Sequence, residues 1–301
     1  MLLALVGPTA SGKTQAGIAL AERLGVEIAS VDSMLVYRGM DIGTAKPTPA
    51  ERARVPHHLL DLAEPTERFT VARFQQEART VLARIPGSLL VGGSGLYFRA
   101  VVDDLEFPPE DPPVRAALES EADMLGAPAL FARLTDLDPV AAAKIEPGNV
   151  RRIVRALEVA AITGSPFSAF AAAWERYEPG RVRAAGVRIE RAVLASRVEA
   201  RVHAMLDGGW LDEVRDLIDR GFGGWLTSTQ AIGYAELARH LDGTLSREEA
   251  VEQTVKRTKE LARRQMAWFR RDPRIRWFDA GAGGAAEVVD ALGRYLETGD
   301  A

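Results

Sequence analysis

Eight residues constrain this chain more than any others: Gly7-Pro8-Thr9-Ala10-Ser11-Gly12-Lys13-Thr14 follow an apolar run, Leu2 to Val6, and lead into a helix-like stretch, Gln15 to Leu24. The spacing is that of a phosphate-binding loop. A strand ends, a glycine-rich turn exposes successive backbone N–H groups, and a helix N-terminus adds its unpaired donors and the positive end of its dipole. Together they make a cradle for an anion. Lys13 is placed to reach the terminal phosphate as a point charge, and the Thr14 hydroxyl to sit where Mg2+ bridges phosphate oxygens. The loop alone leaves open which phosphate compound it holds.

What the chain lacks bounds the rest of its chemistry. It has 301 residues and no cysteine, which excludes disulfides, thiolate nucleophiles and Cys-ligated metals. Oxygen, nitrogen and bound cations remain. Leu2 to Val6 is too short for a signal-peptide core and no later apolar stretch approaches a membrane span, which predicts a cytoplasmic protein with no membrane partner. With 47% hydrophobic and 27% charged residues the chain has room for one large domain or two smaller ones. A formal net charge of −4 argues against a uniformly basic nucleic-acid coat and leaves local basic faces open. Lys13, Lys46, Lys144, Lys256 and Lys259 are the lysines, so arginine carries most of the positive charge. Coding bias and selection for phosphate-binding guanidinium forks both account for that.

Val26 to Val31 predicts a second strand ending at Asp32-Ser33, where an open parallel sheet lines its ligand crevice. Position alone leaves Asp32 open between a chemical role and a helix cap or outer Mg2+ ligand. Met34 to Pro49, with Gly39, Gly43, Pro47 and Pro49, reads as a long loop beside that crevice. Leu59 to Leu62 is a candidate third strand after His57-His58, two adjacent histidines that make a poor metal pair on a strand. Phe69 to Ile85 has helical spacing with Thr70 as its cap. Leu89-Leu90-Val91 predicts a buried strand running into a second glycine turn, Gly92-Gly93-Ser94-Gly95.

A proline-rich break at Phe107 to Pro113 opens a region of short Ala-rich helical patterns without a convincing strand. Its best-defined helix is Val150 to Thr163, with Ile153 and Leu157 in an apolar stripe and Arg151, Arg152 and Arg155 in the first turns. Cations there oppose the helix dipole, so either a solvated basic face or a bound phosphate accounts for them. Arg183 to Val193 reads as a returning strand. Helices are then expected over Ser196 to Arg220, Thr227 to Leu241 and Ser246 to Arg271, the last opened by the capping box Ser246-Arg247-Glu248-Glu249. Its second half, from Lys256 to Arg271, is densely basic and carries Trp268-Phe269, a pattern that suits phosphate and base contacts as well as the helix dipole. Ile275 to Phe278 reads as an edge strand and Ala285 to Leu296 as a closing helix. The prediction is an α/β fold, a P-loop NTPase-like parallel sheet flanked by helices, with residues 1–108 and 182–301 as the core and 109–181 as an all-helical insertion.

Taken together, these stretches resemble the tRNA dimethylallyltransferases, also called tRNA isopentenyltransferases, of the IPP transferase family, over nearly the whole chain. The phosphate loop, Asp32 to Pro47, Gly92 to Tyr97, Arg151 to Glu158, Gln230-Ala231-Ile232-Gly233-Tyr234 and Arg263 to Arg270 each match a family motif. Leu35 stands where many members have Gln and cannot make that side chain's hydrogen bonds, whereas Ser94 stands where many have Thr and keeps the hydroxyl.

The resemblance implies transfer of a dimethylallyl group from dimethylallyl diphosphate to N6 of adenine 37, beside the anticodon, with release of diphosphate. Gly7, Pro8, Thr9, Ala10, Ser11, Gly12, Lys13 and Thr14 would hold the leaving diphosphate, with Mg2+ on Thr14. Asp32 would take the proton from the attacking amine. The anticodon stem-loop would be gripped by Asp32, Ser33, Met34, Leu35 and Ser94, by Arg115, Arg151, Arg152, Ile153, Val154 and Arg155 of the insertion, and by Gln230, Gly233, Tyr234, Arg263, Arg264, Gln265, Trp268 and Arg270. A cytoplasmic monomer is expected. Two other readings stay open: a P-loop kinase of a nucleoside or small molecule, using ATP, and a prenyltransferase of free adenine nucleotide.

Overall fold

In the computed structural model, which describes residues 1–103, 105–224 and 227–299, a parallel sheet of six strands runs in the order β3-β2-β4-β1-β5-β6. The strands are β1 (Leu2–Val6), β2 (Ile28–Ser30), β3 (His57–His58), β4 (Leu89–Gly92), β5 (Val182–Ile189) and β6 (Ile275–Ala280). β1 lies between β4 and β5, with Val6 opposite Gly92 on one side and Gly186 on the other. The phosphate loop therefore leaves the middle of the sheet at its C-terminal edge, where α/β folds bind ligands.

The helices are α1 (Lys13–Leu24), α2 (Pro49–Arg54), α3 (Val71–Arg84), α4 (Gly95–Val102), α5 (Pro112–Leu125), α6 (Ala127–Leu137), α7 (Pro139–Ala142), α8 (Val150–Thr163), α9 (Arg191–Asp207), α10 (Trp210–Asp219), α11 (Tyr234–Leu241), α12 (Arg247–Phe269) and α13 (Val289–Thr298). Strand periodicity sorts the apolar side chains between the two faces of the sheet. Ala4, Val6, Ala29, Leu90 and Ala184 join one core with Phe98, Val198, Val202 and Phe269 of α4, α9 and α12. Leu5, Ile28, Leu89 and Ala185 join the other with Ile18 and Leu20 of α1 and Leu292 and Leu296 of α13. No helix among the described residues is long and apolar enough to cross a membrane.

Residues divide into two compact units, Met1–Asp104 with Glu178–Ala301, and Leu105–Tyr177. The helical unit thus opens four residues before the expected 109–181 boundary and closes four before its end, because the proline-rich stretch belongs to it as the lead into α5. It holds α5 to α8 and a 3-10 segment, Phe167–Glu175, around Leu118, Leu130, Leu134, Ile153, Val154 and Leu157.

Several elements differ from the sequence expectation. β3 is His57–His58 itself; Leu59 and Asp61 have φ of +63° and +55°, so the chain turns where a strand was expected. β5 ends at Ile189 rather than Val193 and is buried along most of its length, as a strand flanked on both sides must be. Gly208-Gly209 split the expected 196–220 helix into α9 and α10. The segment expected to be helical from Thr227 instead has a 3-10 turn at Ser228–Gln230 before α11. Other elements match closely: α8 spans Val150–Thr163 with Asn149 as cap, and α12 starts from the Ser246 and Glu249 capping box.

Candidate active site

A cleft at the C-terminal edge of the sheet is lined by Thr9, Lys13 and Thr14 of the phosphate loop, Asp32 beyond β2, and Gly92-Gly93 beyond β4. Gly12 has φ of +86° and serves as N-cap of α1, a conformation a side chain would strain. The first amides of α1 have no intrahelical acceptor, which is what makes a helix N-terminus an anion site. Lys13 Nζ folds back onto the Pro8 carbonyl at 2.6 Å and lies 3.4 Å from Ser11 Oγ. Burial and then the Arg201 charge lower its amine to about 7, and Asp32 only partly offsets them. An arriving anion supplies the counter-charge that restores the ammonium.

Arg201 reaches the same cleft from α9, with Nη1 3.3 Å from Thr9 Oγ1. Burial lowers its pKa, with Asp32 opposing. Two cations thus face one carboxylate, and the surplus positive charge suits a multiply charged anion. Sequence reading missed Arg201, since an arginine inside a helix of mixed composition carries no motif. Asp32 Oδ1 accepts the Met34 amide at 3.0 Å, which fixes the carboxylate at the turn after β2.

The same cleft is also lined by Ile28, Leu35, Ala45, Pro47 and Val91, with Ser30 and His57 among them. The His57 Nδ1 lies 2.7 Å from the Val55 carbonyl and must carry the ring proton. Burial pushes His57 below its ordinary pKa, so it stays neutral. His58 turns to Glu27 instead, at 2.5 Å. The two histidines have separate partners, and no cluster of three or more His, Asp or Glu among the described residues could hold a metal.

The long loop from Met34 to Pro49 is pinned by two charges, Lys46 within it and Glu213 outside it. Buried Lys46 donates to the Tyr37 carbonyl at 2.6 Å, to Asp41 at 2.5 Å and to Asp61 at 2.7 Å. Glu213 of α10 accepts the amides of Asp41, Ile42 and Gly43 at 2.8, 2.7 and 3.1 Å, and the Tyr234 hydroxyl at 2.7 Å. With the loop fixed, Leu35, Thr44, Ala45 and Pro47 form one wall of the cleft.

The residues expected to grip RNA fall into three groups. Ser33, Met34, Leu35, Ser94, Gln265 and Trp268 are buried or half-buried, with Leu35 and Gln265 lining the cleft, and several have structural partners. Ser94 Oγ accepts the Ser33 amide at 3.1 Å, joining the ends of β2 and β4. Gln265 Oε1 accepts the Thr9 amide at 2.8 Å, tying α12 to the phosphate loop. Trp268 packs against Gly95, where a Cβ would lie 1.9 Å from its ring. Arg151, Arg152, Gln230, Arg263, Arg264 and Arg270 are exposed.

The third group turns inward, buried at Ile153, Val154, Gly233 and Tyr234 and half-buried at Arg115 and Arg155, and corrects the expectation. Ile153 is 0% and Val154 2% exposed in the core of the helical unit, and Tyr234 is 0% exposed. Gly233 is buried against Trp210. Arg115 and Arg155 both donate to Glu158, at 2.5 and 2.7 Å, and Arg155 also donates to the carbonyls of Pro108 and Pro109. Glu158 is itself 0% exposed. Their charges answer a buried carboxylate, a third explanation beside the solvated face and the bound phosphate expected for the cationic helix start.

The sequence model of the IPP transferase family matches residues 35–272, and that of the isopentenyl transferases matches residues 1–62. The chain belongs to the IPP transferase family. A tRNA dimethylallyltransferase of Kineococcus radiotolerans is 50% identical, covering 98% of this chain and 95% of its own. One of Streptomyces coelicolor is 48% identical, covering 95% and 93%. A crystal structure of a tRNA isopentenylpyrophosphate transferase from Bacillus halodurans superposes with a TM-score of 0.68 at 40% identity, covering 98% of this chain and 96% of that one. A eukaryotic dimethylallyltransferase acting on tRNA, 23% identical, shares the fold with a TM-score of 0.80. This IPP transferase thus keeps the family fold around a cleft built from its own phosphate loop, Asp32 and Arg201.

Proposed function

We infer that this IPP transferase moves a dimethylallyl group from dimethylallyl diphosphate to N6 of the adenine beside the anticodon of tRNA. The observation that carries this reading is that one cleft is lined by both charged and apolar residues. Lys13, Thr14 and Arg201 supply charge for a diphosphate, while Ile28, Leu35, Pro47 and Val91 supply an apolar wall for a short hydrocarbon. Thr14 lines the cleft beside Lys13 and offers a hydroxyl as a hard oxygen donor. A single protein oxygen suits Mg2+, which keeps most of its ligands from water and phosphate. When bound, the ion would add charge stabilisation to the leaving diphosphate.

In the reaction the allylic C1–O bond breaks and the N6–C1 bond forms. The loop amides, Lys13 and Arg201 stabilise the negative charge that collects on the departing diphosphate. The amine nitrogen loses one proton to Asp32 as it attacks, and the carboxylate returns that proton to solvent. The acceptor base must leave its stack to reach Asp32, which favours a loop nucleotide over a paired one.

Purified protein incubated with Mg2+, dimethylallyl diphosphate and an anticodon stem-loop RNA should yield RNA heavier by one five-carbon unit, with equimolar diphosphate. Mass spectrometry of the digested nucleosides locates the group. Turnover of ATP with no prenylated nucleoside would instead establish the kinase reading, and prenylation of free adenine nucleotide alone would remove tRNA as substrate.

A further inference from the structure

The phosphate loop is also held from its outer side, by two segments far away in sequence. Arg197 of α9 donates from Nε to the Ala10 carbonyl at 2.8 Å and from Nη1 to the Ala282 carbonyl at 2.7 Å. The Ala285 amide donates to the Ser11 carbonyl at 2.8 Å. Gly284, with φ of +70°, permits this approach: a Cβ there would lie 2.7 Å from the Ser11 carbonyl oxygen and 2.8 Å from the Arg197 guanidinium. Glu287 in turn accepts the amides of Gly281 and Gly283, each at 2.6 Å, which fixes the shape of the bracing segment from within.

These bonds act on peptide orientation. In a trans peptide the carbonyl of one residue and the N–H of the next point in opposite directions. Drawing the Ala10 and Ser11 carbonyls outward therefore turns the Ser11 and Gly12 amides away from the brace, the Ser11 amide toward the Pro8 carbonyl at 3.4 Å. Ala10 has φ of +61°, a left-handed conformation that a residue with a Cβ keeps only when its surroundings hold it there. One turn further along α9, Arg201 contacts Thr9 on the cleft side, so a single helix face addresses the loop from both sides.

We propose that Arg197 and the Gly281 to Glu287 segment form an outer clamp that preorganises the phosphate loop for diphosphate, Arg197 being a positioning residue that never touches substrate. The proposal rests on the loop being the diphosphate site. Donors held in place before the ligand arrives need no reorganisation as charge develops. The segment before α13, whose last residues the sequence reading took as the start of a closing helix, then has a part in the chemistry of the loop at the other end of the chain.

Calorimetric titration of the full-length protein with inorganic diphosphate and Mg2+ tests this, alongside steady-state kinetics and filter binding of tRNA. In Arg197→Ala, diphosphate affinity should fall roughly tenfold or more and the KM for dimethylallyl diphosphate should rise in parallel, with tRNA affinity within about twofold. Arg197→Lys, able to reach one carbonyl, should recover part of the loss. Glu287→Ala, which alters only the bracing segment, should shift diphosphate affinity in the same direction by less. Wild-type protein that binds no diphosphate would overturn the loop reading and the clamp with it. Wild-type binding matched by both alanine variants would overturn the clamp alone, as would a loss of tRNA affinity equal to that of diphosphate.

Discussion

Asp32 uses one carboxylate oxygen to accept the Met34 amide, and an asparagine keeps that oxygen while losing the base. Asp32→Asn should therefore bind diphosphate and tRNA as wild type does and turn over more slowly, by about 10²- to 10⁴-fold. Single-turnover rates at saturating substrates check this. A rate within about threefold of wild type would pass the proton to solvent or another group. At this scale the sequence was informative about position: Asp32, Lys13 and Thr14 each follow the end of a strand, and they line one cleft. It was silent on Arg201 and Glu213, whose roles depend on which loop α9 and α10 pack against. It misled at Ile153, Val154 and Tyr234, since a match to a motif does not distinguish a surface residue from one that shapes the core.

Helix α8 separates two kinds of arginine that look alike in sequence. Arg155 is held by Glu158 and two carbonyls, whereas Arg151 and Arg152 lie on the exposed side of the first turn. If the exposed pair grips RNA phosphates, Arg151→Ala with Arg152→Ala should weaken tRNA binding and flatten its salt dependence by up to about 0.7 to 0.9 in log–log slope per contact. Mismatched RNAs should lose affinity in parallel, because phosphate contacts position and do not specify. Filter binding across a salt series checks it, and an unchanged slope would make the pair a solvated face. Element identity was readable here because caps and stops are local: Asn149 and Gly164 bound α8, and Ser246 with Glu249 opens α12. It was not readable at Leu59 to Leu62, where two left-handed residues turn an apolar run, nor at Gly208-Gly209, where a long helical pattern breaks in two.

Across the whole molecule, order along the chain sufficed to expect a parallel sheet with an insertion, because a phosphate loop after the first strand demands crossover helices. Strand order was beyond reach, as it depends on pairings among distant segments such as β5 with both β1 and β6. Each unit has its own apolar core: among the described residues, the cluster of the helical unit draws on residues from Val114 to Phe167, and these are not in the clusters around the sheet. The helical unit also depends on one buried ion cluster. Burial alone would raise the Glu158 pKa, yet the hydrogen bonds from Arg115 and Arg155 hold it below the ordinary carboxylate range. Its folded value being depressed, its stabilisation is fully present above about pH 4.3, the ordinary glutamate value, and is lost as pH falls through the folded value. Glu158→Gln keeps the shape and leaves two guanidinium groups without their anion, a change that costs about 3–5 kcal/mol when a buried pair is broken. Hydrogen exchange followed by mass spectrometry should then show amides of the helical unit exchanging roughly 10²- to 10³-fold faster, with those of the sheet unchanged. The acid sensitivity of the helical unit should be reduced in the same variant, leaving the part due to Asp138, whose pKa is also lowered, by hydrogen bonds from the Ser168 and Ala141 amides against the effect of burial. Equal loss of protection in both units would mean that they open as one cooperative body, and an unchanged helical unit would mean that Glu158 contributes no stability there.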